Sequence, residues 1–220
     1  MKAALSFLLL LASKICFAAD EPVTIATSDW SKPVDGCNDF FNGGNCATIR
    51  GRLVILQGHD AGDGSDLLST MVYIELQNMS IRPTEIYFDG EHGHDFRKEY
   101  KGGLNCDLFD SHGNPVPERG NAFSGGCPSS QWITMPYDST VRLRANCFGI
   151  RSPKEGGLVL PFPAKDWFIK PPDTNHYVLS ASFTVIAPTN HVSEEVKHAR
   201  SVVWDGTLVF PRMDISVRKP

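Results

Sequence analysis

The strongest constraint on this chain is a two-residue alternation of apolar and polar side chains that recurs in segment after segment. In MVYIELQN, Val72, Ile74 and Leu76 alternate with Tyr73, Glu75 and Gln77. In TVRLRANC, Val141, Leu143 and Ala145 alternate with Arg142 and Arg144. YVLSASFTVIA puts Tyr177, Leu179, Ala181, Phe183 and Val185 on one side, and ATIRGRLVIL and GTLVFPRMDISV continue the style. Successive strand side chains point to opposite faces, so this period builds half-buried antiparallel strands.

Turn-forming stretches separate these runs: HDAGDGSD, SHGNPVPERGN, SGGCPSS, PYDS and KPPDTN. The 19 glycines and 15 prolines sit mostly there, which keeps helix- and ladder-breaking residues out of the strands. Only HVSEEVKHARSV carries a helix signal, with Ser193 as its cap. The expected fold is all-β, an antiparallel two-sheet sandwich with long loops and little helix. In DTNHYVL, Asp173 precedes Tyr177 by four residues, the arrangement of an immunoglobulin-type tyrosine corner. Leu179 stands where antibody domains carry a cysteine, so their inter-sheet disulfide is not expected.

The opening MKAALSFLLLLASKICFAADEP has a basic start at Lys2, an apolar run from Leu5 to Ala12, and small residues at Cys16 and Ala18. That is the pattern of a secretory signal peptide cleaved after Ala18. The expected organisation is a leader over 1–18, an irregular disulfide-bearing segment over 19–46, and a β-sandwich domain over 47–220. Losing Lys2 and Lys14 leaves 19 basic against 25 acidic residues, a net charge of −6. With no Lys/Arg-rich run, the chain has no electrostatic footprint for nucleic acid, and no second long apolar run predicts a membrane span. Export implies a secreted, periplasmic or extracellular location.

Five cysteines follow the expected cleavage point: Cys37, Cys46, Cys106, Cys127 and Cys147. Cys37 and Cys46 flank the Gly- and Asn-rich NDFFNGGN, and closing that short loop would stabilise the fold by roughly 2–3 kcal/mol. Among the other three one must remain unpaired. Ser124-Gly125-Gly126 lets the chain fold back, which favours a Cys106–Cys127 bridge.

The segments VYIELQNMSIRP, DLFDSHGNPVP, ITMPYDSTVRL and WDGTLVFP resemble the immunoglobulin-like sandwiches of exported bacterial proteins. More loosely, they are similar to the sandwich of the bacterial intracellular proteinase-inhibitor family. The resemblance covers residues 47 to 217 and implies a fold, with no particular functional residues. The CNDFFNGGNC loop and the exported compartment depart from the inhibitor family.

Several residue groups offer chemistry. YFDGEHGHDFRKEY brings His92, His94 and Asp95 together. On an extended segment the two histidine Cα atoms would lie about 6.6 Å apart, within reach of one zinc ion. Gly90 and Gly93 favour instead a hydrated loop between strands. Asp60, Asp63 and Asp66 lack the alternate-position order of a helix-loop-helix calcium site. No Gly-x-Ser-x-Gly elbow occurs, and Asp166 and Asp205 beside tryptophans supply carboxylates with no pairing visible in sequence. Trp167, in the proline-flanked PFPAKDWFIKPP, is the tryptophan expected to be exposed and to stack on a sugar ring. Asn78-Met79-Ser80 is a glycosylation sequon if the chain is eukaryotic.

The expectation is therefore an exported, non-catalytic binding module contacting a protein or surface glycan, with no cofactor. Two rivals stand beside it: a zinc- or calcium-binding protein or metal-dependent hydrolase using His92 and His94, and a protease inhibitor.

Overall fold

The computed structural model of the protein describes residues 23–38, 41, 43–59, 68–88, 103–119, 131–145, 150–151, 158–162, 165–169, 176–188 and 201–215. They are nearly all β. The fifteen strands are, in order, β1 (Val23–Thr27), β2 (Val34–Cys37), β3 (Cys46–His59), β4 (Leu68–Asn78), β5 (Thr84–Phe88), β6 (Gly103–Phe109), β7 (Gln131–Met135) and β8 (Thr140–Arg144). There follow β9 (Ile150–Arg151), β10 (Leu158–Pro161), β11 (Asp166–Ile169), β12 (Tyr177–Val185), β13 (Val202–Val203), β14 (Gly206–Val209) and β15 (Met213–Ile215).

The longest antiparallel pair, β3 with β4, forms the centre of one sheet. Strand β2 pairs with the start of β3 and β1 with its end, while β8 and β9 pair with β4. In a second sheet β12 is central, with β6 along one edge and β14 and β15 along the other. Those last two are one edge interrupted at Phe210, Pro211 and Arg212, where proline lacks the N–H a ladder needs. The Phe210 N–H still donates to the Ala181 carbonyl at 3.0 Å. Two smaller sheets complete the fold, β13–β5–β7 and β10–β11. Within the former, β13 runs parallel to β5.

The alternation read in the sequence is realised. Along β12, Tyr177, Leu179, Ala181, Phe183 and Val185 are all buried and the residues between them only partly so. They share one hydrophobic core with Ile49, Leu53 and Ile55 of β3, Val72, Ile74 and Leu76 of β4, and Leu104, Cys106 and Leu108 of β6. At Gly51 of β3 a Cβ would lie 3.0 Å from the tips of Leu208 and Leu76, so the inward side chains of β14 reach the first sheet there. This is a β-sandwich-like arrangement around a continuous core.

Trp204 anchors the N-terminal strands. Its ring is fully buried, its indole N–H donates to the Val34 carbonyl at 3.1 Å, and a Cβ on Gly36 would collide with it. The segment 19–46, expected to be irregular, thus contributes β1 and β2 to the first sheet. The reason is register: Cys37 and Cys46 are direct cross-strand partners, so the disulfide expected between them staples β2 to β3. The other expected bridge is corrected. Cys106 points inward from β6 into the core as a free, buried thiol, and its expected partner Cys127 lies outside the described residues.

Two turns are built by side chains. The Asp110 carboxylate accepts the backbone N–H groups of His112 and Asn114 at 2.9 and 2.8 Å, and Gly113 takes a φ of 81° that only glycine adopts freely. Asn78 ends β4 fully buried. Its amide donates to the carbonyls of Arg82, Met135 and Pro136 at 2.9, 3.0 and 3.1 Å, and its oxygen accepts from Ser80 N and Thr84 Oγ1. The sequon asparagine is therefore a tie between two turns and has no nitrogen left to carry a glycan.

Candidate functional site

Three strands, β3, β4 and β8, turn a second face away from the core. The side chains opposite Ile49, Leu53, Val72, Ile74 and Leu76 emerge there, so the same period that fills the core also composes this surface. On it stand Arg50 and Arg52 from β3, Tyr73, Glu75 and Gln77 from β4, and Arg142 and Arg144 from β8. Register aligns them: Arg52, Glu75 and Arg142 fall in one row across the three strands. Arg50 sits opposite Gln77 in the next row, and Arg144 opposite Tyr73 in the row on the other side.

Glu75 is the hub of the row. Its Oε2 accepts from Arg52 Nε at 2.6 Å, and its Oε1 accepts from Arg142 Nε at 2.8 Å and from an Nη of the same guanidinium. The carboxylate side chain is only 6% exposed, whereas those of Arg52 and Arg142 are 34% and 51% exposed. Burial pushes the Glu75 carboxyl up, but the hydrogen bonds and charges of Arg142 and Arg52 outweigh it and hold the group below its ordinary value. Glu75 is thus a fixed anion wedged between two cations.

Aromatic rings pack against the guanidiniums. Arg50 and Arg52 lie over Trp30, their Cζ atoms 5.0 and 4.7 Å from the ring centroid, and Arg142 lies over Tyr73 at 5.6 Å. Each such contact contributes about 0.5–1 kcal/mol at a partly exposed site and restricts the cation's rotamers. Arg50 Nε also donates to Gln77 Oε1 at 2.8 Å. Among the described residues of β3, β4 and β8, four arginines and one glutamate stand on this face. Such an array offers charge-assisted, forked hydrogen bonds to oxyanions. Beyond Tyr73, the same face becomes apolar, where Val54, Leu56 and Met71 form a small buried cluster of their own.

His92, His94, Asp95, Asp60, Asp63, Asp66 and Cys127 fall outside the described residues, as does most of HVSEEVKHARSV. Among the described residues no three His, Cys, Asp or Glu side chains are grouped to hold a metal ion. Trp167 is corrected: it is 2% exposed, packs edge-on against Phe162, and donates its indole N–H to the Val116 carbonyl at 3.1 Å. On β11 it alternates with Phe168 and so faces inward, leaving no open ring for a sugar. A cleft of about 440 Å³ lies beside it, between β6 and the segment 115–118, and the Lys165–Asp107 ion pair spans 2.7 Å at its rim. Of the two aspartates beside tryptophans, Asp205 is committed to structure, accepting from Ala187 N and Asn38 Nδ2, both at 2.7 Å. Asp166 is buried in β11, and desolvation raises its carboxyl despite the charge of Arg119.

The arginine face had one signal in the sequence, the Arg-x-Arg pairs of IRGRL and VRLRA. Alternation places each pair on one side of its strand, but only the register through β4 brings the two pairs to one surface. No protein-family model matches the chain, and no curated protein or solved structure matches it significantly. Fold and surface together define a nearly all-β, sandwich-like protein with a stapled N-terminal strand and one cationic sheet face.

Proposed function

We propose that this protein is an exported, non-catalytic binding module of immunoglobulin-like sandwich architecture, and that it holds its partner with the outer face of β3, β4 and β8. The observation that carries this reading is the arginine array around Glu75, ordered by Trp30 and Tyr73 before any partner arrives. Preordered side chains lose less entropy on binding, which is how a small polar surface gains affinity. Export is supported by the leader-like N-terminus and by the Cys37–Cys46 disulfide, a bond that persists in oxidising compartments. The face supplies cations and one pinned carboxylate, a set suited to recognition by charge.

Affinity capture tests the proposal, with the mature protein as bait in its native envelope or medium. Wild-type and Arg50→Glu baits are compared, because Arg50 takes no part in the Glu75 row. The proposal expects at least one partner retained by the wild type and lost from the variant. Identical captures on both baits would refute it.

A further inference from the structure

We infer that the Cys37–Cys46 disulfide is a thiol-exchange site, open to attack by an external dithiol while the sandwich around it stays folded. This reactivity is independent of the binding-module reading. Both cysteines are exposed, Cys37 at the end of β2 and Cys46 at the start of β3. Gly43 and Gly44 between them are exposed as well, and a Cβ added to either would meet nothing within 4 Å. A bond so placed is reachable in the native state, whereas a disulfide in a core is reached only after unfolding. Of the two cysteines, Cys46 also lines a cleft of about 350 Å³, together with Asn45, Thr48, Met79, Ser80 and Arg82. Arg82 is exposed there, and among the described residues no acid pairs with its guanidinium. A thiolate is an anion, so an unpaired cation in that cleft draws it toward the Cys46 sulfur.

Exchange requires that β2 keep its place without the bond, and its other ties supply that. Val34, Asp35 and Gly36 pair with Ile49, Thr48 and Ala47 ahead of the disulfide pair. The Asp35 carboxylate accepts from Thr48 Oγ1 at 2.6 Å, Trp204 donates to the Val34 carbonyl, and Asn38 Nδ2 donates to Asp205 at 2.7 Å. Gly36 lies flush against the Trp204 ring. Opening the bond therefore releases a closed loop and leaves the strand paired. In the exchange, the first thiolate of the dithiol attacks Cys46 Sγ, the S–S bond breaks, and Cys37 leaves with the electron pair and is protonated. The dithiol's second thiolate then attacks the dithiol's own sulfur in the mixed disulfide and releases Cys46, which is protonated in turn. Both electrons come from the dithiol, which departs as a disulfide. Cys106, buried in the core with its thiol pushed well up by desolvation, takes no part.

The test is reduction of the folded protein with dithiothreitol and, separately, with glutathione, each followed by rapid alkylation and peptide mapping. With dithiothreitol, Cys37 and Cys46 should become alkylated in native buffer, and Cys106 only once urea is added. Glutathione, a monothiol, should leave its adduct on Cys46 and Cys37 as the freed thiol. Arg82→Gln should slow the exchange about threefold at low salt, a difference that shrinks as salt rises. The Cys37→Ser/Cys46→Ser variant, in which the bond is permanently open, should still melt cooperatively. A bond that yields only at urea concentrations that unfold the chain overturns the inference, as does loss of the melting transition in the double variant. An adduct found chiefly on Cys37, or a rate indifferent to Arg82, overturns it as well, because attack then does not come through the cleft.

Discussion

Glu75 and Glu85 are both buried glutamates, ten residues apart on consecutive strands of different sheets, and they are accommodated in opposite ways. Glu75 faces outward from β4, where the register delivers a guanidinium from each side and every lone pair it turns to the protein meets a cation. Glu85 faces Thr134 and Ser201, whose hydroxyls lie 2.7 and 3.4 Å from its Oε1, and its Oε2 has no hydrogen-bond partner among the described residues. A buried carboxylate is tolerable only when desolvation is offset by partners of adequate strength. The contrast teaches that the charged face is an ordered network built around Glu75, whereas the site at Glu85 is under-satisfied.

The same substitution at the two positions should therefore act with opposite sign. Glu75→Gln should lower stability by about 3 kcal/mol in urea unfolding with an unchanged slope, because two half-buried guanidiniums lose their anion. A loss below about 0.5 kcal/mol would mean that Trp30 and Tyr73 alone hold the arginines. Arg142→Gln should cost about 1.5 kcal/mol, since Arg52 still serves the carboxylate. Glu85→Gln should raise stability by about 1 kcal/mol by removing the charge while keeping an oxygen for Thr134. Destabilisation there would show that Oε2 is met by a group beyond the described residues, and the comparison would have to be redrawn.

Acid sharpens it further. The folded Glu75 carboxyl lies below its ordinary value of 4.5, so its contribution is full above that pH and is lost as pH falls through the folded value. The stability gap between wild type and Glu75→Gln should then narrow on acidification below about pH 4.5, measured by urea midpoints at each pH. A gap that widens in acid would reverse the sign assigned to Glu75. Smallest of all, Arg50→Gln should change stability by less than about 0.5 kcal/mol, which separates its part in binding from folding.

Much of the architecture was legible because it is local. Val72, Ile74 and Leu76 alternate with their neighbours, and such a strand must turn one side inward whatever it pairs with. The Cys37–Cys46 bridge was legible for the same reason, its cysteines being nine residues apart around a loop rich in glycine. Reading failed where a neighbour distant in sequence decided the outcome. Trp167 looked exposed between prolines, yet Phe162 and Val116 close over it. Cys106 looked ready to pair, yet its place on β6 turns the thiol into the core. Asn78 looked like a modification site, and three carbonyls from two turns consume its amide.

The sequence by itself determined a chain of alternating strands with punctuated turns and one short disulfide loop, since period and spacing act within a few residues. Tertiary structure alone decided which outward residues meet. Arg52 and Arg142 are ninety positions apart and reach one carboxylate only because β4 lies between their strands in that register. Shifting either pairing by one residue would send Glu75 to the opposite face from its arginines, because side chains in a strand change sides at every step.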